Sequence, residues 1–405
     1  MDAAGRRKAH TQPSTLFAAR ALRDFGDGFV AVLLAVYLTE LGFGAFAVGV
    51  VATVALLGSA LMTLGIGVLG ARLDRRALLI LASLLMVATG LAFATSRSYA
   101  LLVLISFIGT INPSAGSVSV FVPLEHALLA GAVADADRTR SFARYSLIGA
   151  FAAALGSLAA ASPEFLGAAG LSRLAALRVM FLLYALLGVA GGLLYLRIPP
   201  QTSSRGHAAN AALGPSKRIV YRLAALFSID AFAGGFAVQS LMALWLFHKF
   251  GLSLGAAAAF FFWSGVLSGF SFLAAAWLSN RAGLINTMVF THIPASFCLM
   301  FAAVVPSLPL ALGLLLVRSA LSQMDVPARS SYVMGIVTPA ERAAAASVTS
   351  VPRTLAAAAS PSIAGALFAA GFEAWPFLIC GALKIVYDVL LLWTFRHVKP
   401  PEEVR

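Results

Sequence analysis

A carboxylate or a guanidinium set inside a long apolar run has few uses. It can bind a proton, hold a counter-charge or meet a polar solute, because leaving it idle there is costly. This chain of 405 residues carries such groups repeatedly. Asp24 and Asp27 stand at the start of the first apolar block, Glu125 and His126 in the fourth, and Arg144 in the fifth. The second half adds Asp230, His292, Arg318, Asp325, Arg329, Arg353, Lys384 and Asp388. Acids and bases nearly balance, so most are expected to be paired.

Asp27 and Asp230 occupy matching places, each followed by glycine (Gly28; Gly234-Gly235). Burial disfavours a charged form, so Asp24, Asp27, Asp230 and Asp325 are candidates for exchanging a proton or touching a solute. The competing reading of Asp27 is a static ion pair with Arg23 or Arg144. Deeper in the blocks, Asn112, Gln239, Gln323 and Arg318 are candidates for a polar site. Arg318 would favour an anionic group, with Asp325 as a rival partner. Pro113 removes a backbone donor beside Asn112, which predicts a kink. His292 reads as a packing residue, and Lys384 with Asp388 as a local pair spaced i, i+4.

The elements that position these groups are apolar helices. Hydrophobic residues make up 60 % of the chain and charged residues 11 %, with a mean hydropathy of +0.91. Soluble domains carry about 25 % charge. The apolar residues fall in blocks long enough for a membrane-spanning helix, which needs about 20 residues. Spans are predicted near 24–43, 45–69, 77–96, 99–129, 141–161 and 176–196, then near 220–247, 254–278, 284–305, 308–336, 343–369 and 375–395. The blocks are continuous rather than alternating, which argues against a β-barrel. The first reads as a retained span and not as a cleaved leader.

The two sets echo each other. Val122-Pro123-Leu124-Glu125 is answered by Val326-Pro327-Ala328-Arg329, and Asp137-Arg138 by Glu341-Arg342. Gly70-Ala71-Arg72-Leu73-Asp74-Arg75 is answered by Ala276-Trp277-Leu278-Ser279-Asn280-Arg281. The offset is nearly constant at half the chain. The expected fold is an all-α membrane protein, twelve transmembrane helices in two pseudo-symmetric six-helix bundles. The first bundle covers 1–196, a basic Pro/Ser/Gly-rich cytoplasmic linker 197–218, and the second bundle 219–405.

A net charge of +13 would suit nucleic acid, but its distribution does not. Arginines and lysines crowd one set of alternate loops, the mark of the cytoplasmic side. Both termini are therefore expected in the cytoplasm, with the basic face against anionic membrane lipids. Glu125 and Arg329 then fall in the cytoplasmic thirds of their helices. With Arg144 and Arg353 they are candidate gate ion pairs. Glu125 and Arg329 could meet across the pseudo-two-fold, or each could pair within its own half with Arg144 or Asp325.

Cys298 and Cys380 are the two cysteines and form no metal motif or disulfide framework. The sequence has no phosphate-binding G-x-x-x-x-G-K-[ST] loop and no H-E-x-x-H. An attached ATPase and a membrane enzyme are therefore not expected, and no cofactor is implied.

Gly70-Ala71-Arg72-Leu73-Asp74-Arg75-Arg76, placed between spans two and three of twelve, resembles the loop 2–3 signature of the major facilitator superfamily. The resemblance extends over the whole chain. It implies that helices 1, 4, 7 and 10 line a central cavity, and that Gly70, Asp74, Arg75 and Arg76 brace the cytoplasmic seam. Helix 4 lacks the arginine, and helix 5 the Gly-Pro element, of the superfamily's drug/proton antiporters. The expected function is secondary active transport by alternating access, a proton-coupled efflux of a small organic or drug-like solute. An uptake symporter, a facilitator and a metalloid efflux carrier are alternatives, and a membrane scaffold or receptor is the non-transport one. A monomer in the inner membrane of a bacterium is expected.

Overall fold

A computed structural model of the chain describes residues 3–69, 73–114, 119–133, 135–199, 213–338 and 341–398. Gly70 and Arg72 of the loop signature, and most of the linker, lie outside the described residues. Sixteen helices make up the described fold. The first eight are α1 Ala3–Glu40, α2 Ala45–Leu69, α3 Arg75–Thr95, α4 Tyr99–Ile108, α5 Phe121–Ala132, α6 Asp135–Ala159, α7 Ser162–Ala168 and α8 Arg173–Leu196. The second eight are α9 Lys217–Gly235, α10 Gln239–Phe250, α11 Leu254–Ala282, α12 Leu284–Val304, α13 Leu308–Leu321, α14 Asp325–Ile336, α15 Arg342–Ala369 and α16 Trp375–Phe395.

Helices are the answer that a bilayer allows, since every backbone group must be satisfied within the segment. Nine helical segments of the described residues are long and apolar enough to cross a membrane. With α1, the α4–α5 pair and α15 they make twelve passes. Caps fix where passes begin. Asp74 accepts a hydrogen bond from the Arg76 backbone N–H at 3.1 Å, and the hydroxyls of Ser172 and Ser253 cap α8 and α11 in the same way.

Among the described residues, three passes are broken. The fourth was expected as one kinked helix over 99–129, but α4 ends at Ile108, with Gly109 as its C-cap, and α5 begins at Phe121. Pro113 cannot donate, and Asn112 Oδ1 takes the Ser114 amide at 3.0 Å in a local turn, so the chain leaves the helix altogether. The seventh pass breaks between Gly235 and Gln239, and the tenth between Leu321 and Asp325. Unwound backbone at membrane depth survives only where protein or water receives it, and such breaks are where carriers place their sites.

The halves meet over the part of the membrane remote from both termini. There α2 packs on α15, α6 on α11 and α1 on α10. Gly49 of α2 lies so close to Gly365 of α15 that a Cβ would come within 2.9 Å of its Cα, a spacing that only glycine permits. The Ser362 amide donates to Thr53 Oγ1 at 2.9 Å. At the terminal end, the polar contacts among the described residues stay within one half.

Candidate functional site

On α1, Arg20, Arg23, Asp24 and Asp27 follow one another at helical spacing and turn inward; all four are buried. Arg20 Nε lies 2.6 Å from Asp24 Oδ2, and Arg23 Nε 3.4 Å from Asp24 Oδ1. Arg23 also reaches Glu125 of α5 at 2.9 Å. The Tyr145 hydroxyl of α6 donates to the same carboxylate, and the Tyr195 hydroxyl of α8 donates at 2.6 Å. Glu125 is thus ringed by donors from three helices. A desolvated carboxylate is tolerable only when so satisfied.

Asp27 stands one turn deeper and is different. Its neighbours are the Tyr184 hydroxyl at 3.3 Å from Oδ1 and the side chain of Asn112, which hydrogen-bonds to it. Among the described residues no cation stands within ion-pair distance of it. The expected pair with Arg23 or Arg144 does not form: Arg23 is engaged by Glu125 and Asp24, and Arg144 is exposed. Tyr184 is also 3.1 Å from the Thr110 carbonyl, so one hydroxyl proton faces two acceptors. Ionised, Asp27 accepts from the Asn112 side chain and competes with the Thr110 carbonyl for the Tyr184 proton. Protonated, its O–H can donate to the Tyr184 oxygen while Tyr184 donates to Thr110.

The repeat-related Asp230 has the opposite surroundings. Lys384 Nζ lies 2.6 Å from Oδ1 and Arg329 3.0 Å from Oδ2. Arg329 turns also to Asp325 at 3.2 Å. Lys384 Nζ stands 3.1 Å from His292 Nε2, and His292 Nδ1 lies 3.1 Å from Asp388 Oδ2. The ammonium can only donate, so Nε2 accepts and Nδ1 carries the proton towards Asp388. His292 is therefore a bridge in a charged network, not the packing residue that its sequence context suggested. The expected local pair of Lys384 with Asp388 is replaced by links to Asp230 and His292. Arg353 is half-buried beside this network, and its Nε has no hydrogen-bond partner in the structure.

Glu125 and Arg329 are not paired with each other. Each serves its own half, Arg329 with Asp325 as one alternative held, and Glu125 with Arg23 in place of Arg144. Asp74 is an N-cap, and Arg76 donates to the Leu196 carbonyl at 2.9 Å, tying the loop to the foot of α8.

The breaks of the fourth and seventh passes touch across the halves. The Ser240 amide, at the first turn of α10, donates to the Pro113 carbonyl at 3.0 Å. Gln239 Nε2 donates to Ser157 Oγ at 3.3 Å, and Ser157 Oγ donates to the Gly28 carbonyl at 3.3 Å. Asn112 and Gln239 are thereby gathered near Asp27. Gln323 lies half-buried in the turn between α13 and α14, and no hydrogen bond draws its side chain into this group.

Arg318 is half-buried in the last turn of α13. Its expected rival partner, Asp325, is held by Arg329. Among the described residues Arg318 has no ion pair, and the titratable groups that act on it are Cys380 and Cys298. The negative end of α13 offers a cation about 0.3–1 kcal/mol. An arginine at membrane depth costs about 2.5–3.5 kcal/mol on insertion scales, so the helix end does not offset it.

Several members of these clusters give little sign of themselves in the sequence. Tyr145, Tyr184 and Tyr195 look like ordinary aromatic residues of apolar helices. Arg20 and Arg23 look like topology charges, although the i, i+4 spacing of Arg20 and Asp24 was a legible pair.

Comparison with known proteins agrees with this architecture. A variant of the nucleoside transporter NupG has a similar fold, with a TM-score of 0.76 at 15 % identity, covering 95 % of this chain and 100 % of that one. The inward-open xylose transporter XylE of E. coli gives a TM-score of 0.71 at 14 % identity, covering 95 % of each chain. The human organic anion transporter MFSD10 gives 0.65 at 17 %, covering 95 % of this chain and 99 % of that one. An uncharacterized membrane protein of Saccharomyces cerevisiae is 22 % identical over 337 residues, covering 74 % of this chain and 75 % of its own. The sequence model of the Major Facilitator Superfamily matches residues 16–324. The twelve passes, the three broken helices and that match agree: the chain belongs to the Major Facilitator Superfamily.

Proposed function

We propose that this chain is a secondary active transporter that couples proton movement to the efflux of a small organic solute by alternating access. The observation that carries the reading is Asp27. It is 3 % exposed, it lies beside the break of the fourth pass, and it alone of the α1 and α9 carboxylates has no cation partner among the described residues. Protonation turns it from a competitor for the Tyr184 proton into a donor to Tyr184, so gaining and losing a proton changes what it binds. That is the requirement for biasing two conformers.

The contacts between halves lie on the side away from the termini, and the terminal side has none of the described polar ones. With the basic loops in the cytoplasm, this is the inward-facing arrangement, in which Asp27 would exchange protons and solute with the cytoplasmic vestibule. Asp74, Arg75, Arg76, Glu125, Arg329 and Arg353 then form the rim that closes in the outward-facing state.

The test is solute flux in vesicles of both orientations, with and without an imposed pH gradient. Wild type should respond to the gradient, and Asp27→Asn should carry solute down its own gradient while ignoring pH. Gradient-independent flux in wild type, or a D27N variant that still follows the gradient, would overturn the coupling. The vesicle orientation that accumulates solute decides between efflux and uptake.

A further inference from the structure

We propose that Arg318 is an anion-binding residue of the transport pathway and that the transported solute carries a carboxylate, sulfonate or phosphate group. The proposal rests on the reading of the chain as a carrier. Arg318 stands at the break of the tenth pass, where α13 gives way to the turn before α14. A break of this kind frees backbone groups and marks a place that solute reaches.

The carboxylates on the membrane helices around Arg318 are taken by other groups. Asp230 holds Lys384 and Arg329, Asp325 holds Arg329, and Asp388 holds His292. No carboxylate is left over for Arg318. Its titratable neighbours Cys298 and Cys380 are thiols, which offer a guanidinium no fixed negative charge. A guanidinium keeps its proton in any protein environment, so it cannot neutralise itself as a lysine can. What it can do is take an anionic group from outside, through two parallel N–H···O bonds.

Asp27 and Arg318, neither of them in an ion pair among the described residues, are then complementary. Asp27 ionised and Arg318 empty balance each other across the halves. Asp27 protonated and Arg318 holding an anion leave neither charge uncompensated. A proton and an anionic solute thus satisfy the molecule together, whereas a neutral solute would leave Arg318 as it stands.

Cys298 supplies a local reporter, being half-buried and electrostatically coupled to Arg318. In purified Cys380→Ser protein in nanodiscs, the rate of Cys298 alkylation by a neutral maleimide is measured. The probes are benzoate, benzenesulfonate and phenyl phosphate, with benzyl alcohol and benzylammonium as controls. At least one of the three anions should slow alkylation, and the two controls should not. In Arg318→Gln the anion concentration needed should rise about tenfold or more, with Arg318→Lys intermediate. In D27N the protection should persist, which separates this site from the proton coupling. Equal protection by the controls, protection unchanged in R318Q, or no protection by any of the three anions overturns the proposal. A folded R318Q is confirmed by an unchanged unfolding midpoint.

Discussion

Two aspartates that the repeat makes equivalent have parted company at the level of single contacts. Asp230 is gripped by an ammonium and a guanidinium, while Asp27 has hydroxyl and amide partners only. The difference gives opposite expectations for mutation. Removing Lys384 strands a buried carboxylate with one cation fewer, so Lys384→Ala should lower stability by about 3–5 kcal/mol, read as the unfolding midpoint in detergent. The double change Lys384→Ala with Asp230→Ala should recover part of that loss, since no charge is left unmatched. Tyr184→Phe, by contrast, should leave the midpoint within about 1 kcal/mol. It should cut pH-driven flux severalfold, because the link between Asp27 and Thr110 is gone. The carboxylates were legible in the sequence, being rare charges in apolar blocks. Their different fates were not. Tyr184 and Lys384 lie far along the chain, and nothing local announces that one serves Asp27 and the other Asp230.

Among the helices, the breaks are the informative features. Asn112-Pro113 signalled a disturbance, but periodicity could not separate a kink from an interruption, because the flanking residues are equally apolar on both sides. The breaks before Gln239 and after Leu321 carry no proline at the point of interruption and were invisible. Close helix crossing is easier to foresee from glycine. At Gly28 a Cβ would run into the Ala153 backbone of α6, so Gly28→Ala should cost about 1–3 kcal/mol by forcing α1 and α6 apart. That loss is measurable as a fall in the unfolding midpoint. The start of α9 is held by a different device. Glu341 accepts from the Gly214 amide at 2.6 Å, Ser216 Oγ at 2.8 Å and Thr338 Oγ1 at 2.7 Å. The Thr338 and Ser216 hydroxyls, with these amides, hold its carboxyl down at about 2. A depressed acid stabilises the fold above its unfolded value and loses that contribution as pH falls towards the folded one. The protection of the Gly214 and Ser216 amides, measured as exchange relative to the intrinsic rate at each pH, should therefore be high at pH 7 and fall on descent from about 4.5 towards 2. Glu341→Gln should show the lower protection already at pH 7.

For the whole molecule, the proposed alternating access makes the seam between the halves the moving part, and its contacting side can be locked. Thr53 and Ser362 touch across it, so cysteines at these two positions, with Cys298 and Cys380 replaced by serine, should form a disulfide. Flux should then stop and return on reduction. Flux that persists after complete oxidation would mean that this side need not open. The twelve passes and their pairing into repeats were legible at this scale, because length, hydropathy and offset are additive over many residues. Which face was parted was not, since it depends on contacts between segments hundreds of residues apart.

The two charge clusters also decide how the protein feels an electric field. Lys384, Arg329 and Arg353 equal Asp230, Asp325 and Asp388 in total charge, and Arg20 and Arg23 equal Asp24 and Glu125. In the proposed cycle each of these clusters travels as a neutral body, on which the membrane voltage does no net work. A single charge carried across is worth about 2.3 kcal/mol per 100 mV. That work therefore falls on Asp27, on Arg318 and on whatever they hold. A current recorded during turnover would be a count of protons and solute charges, uncontaminated by the scaffold that carries them.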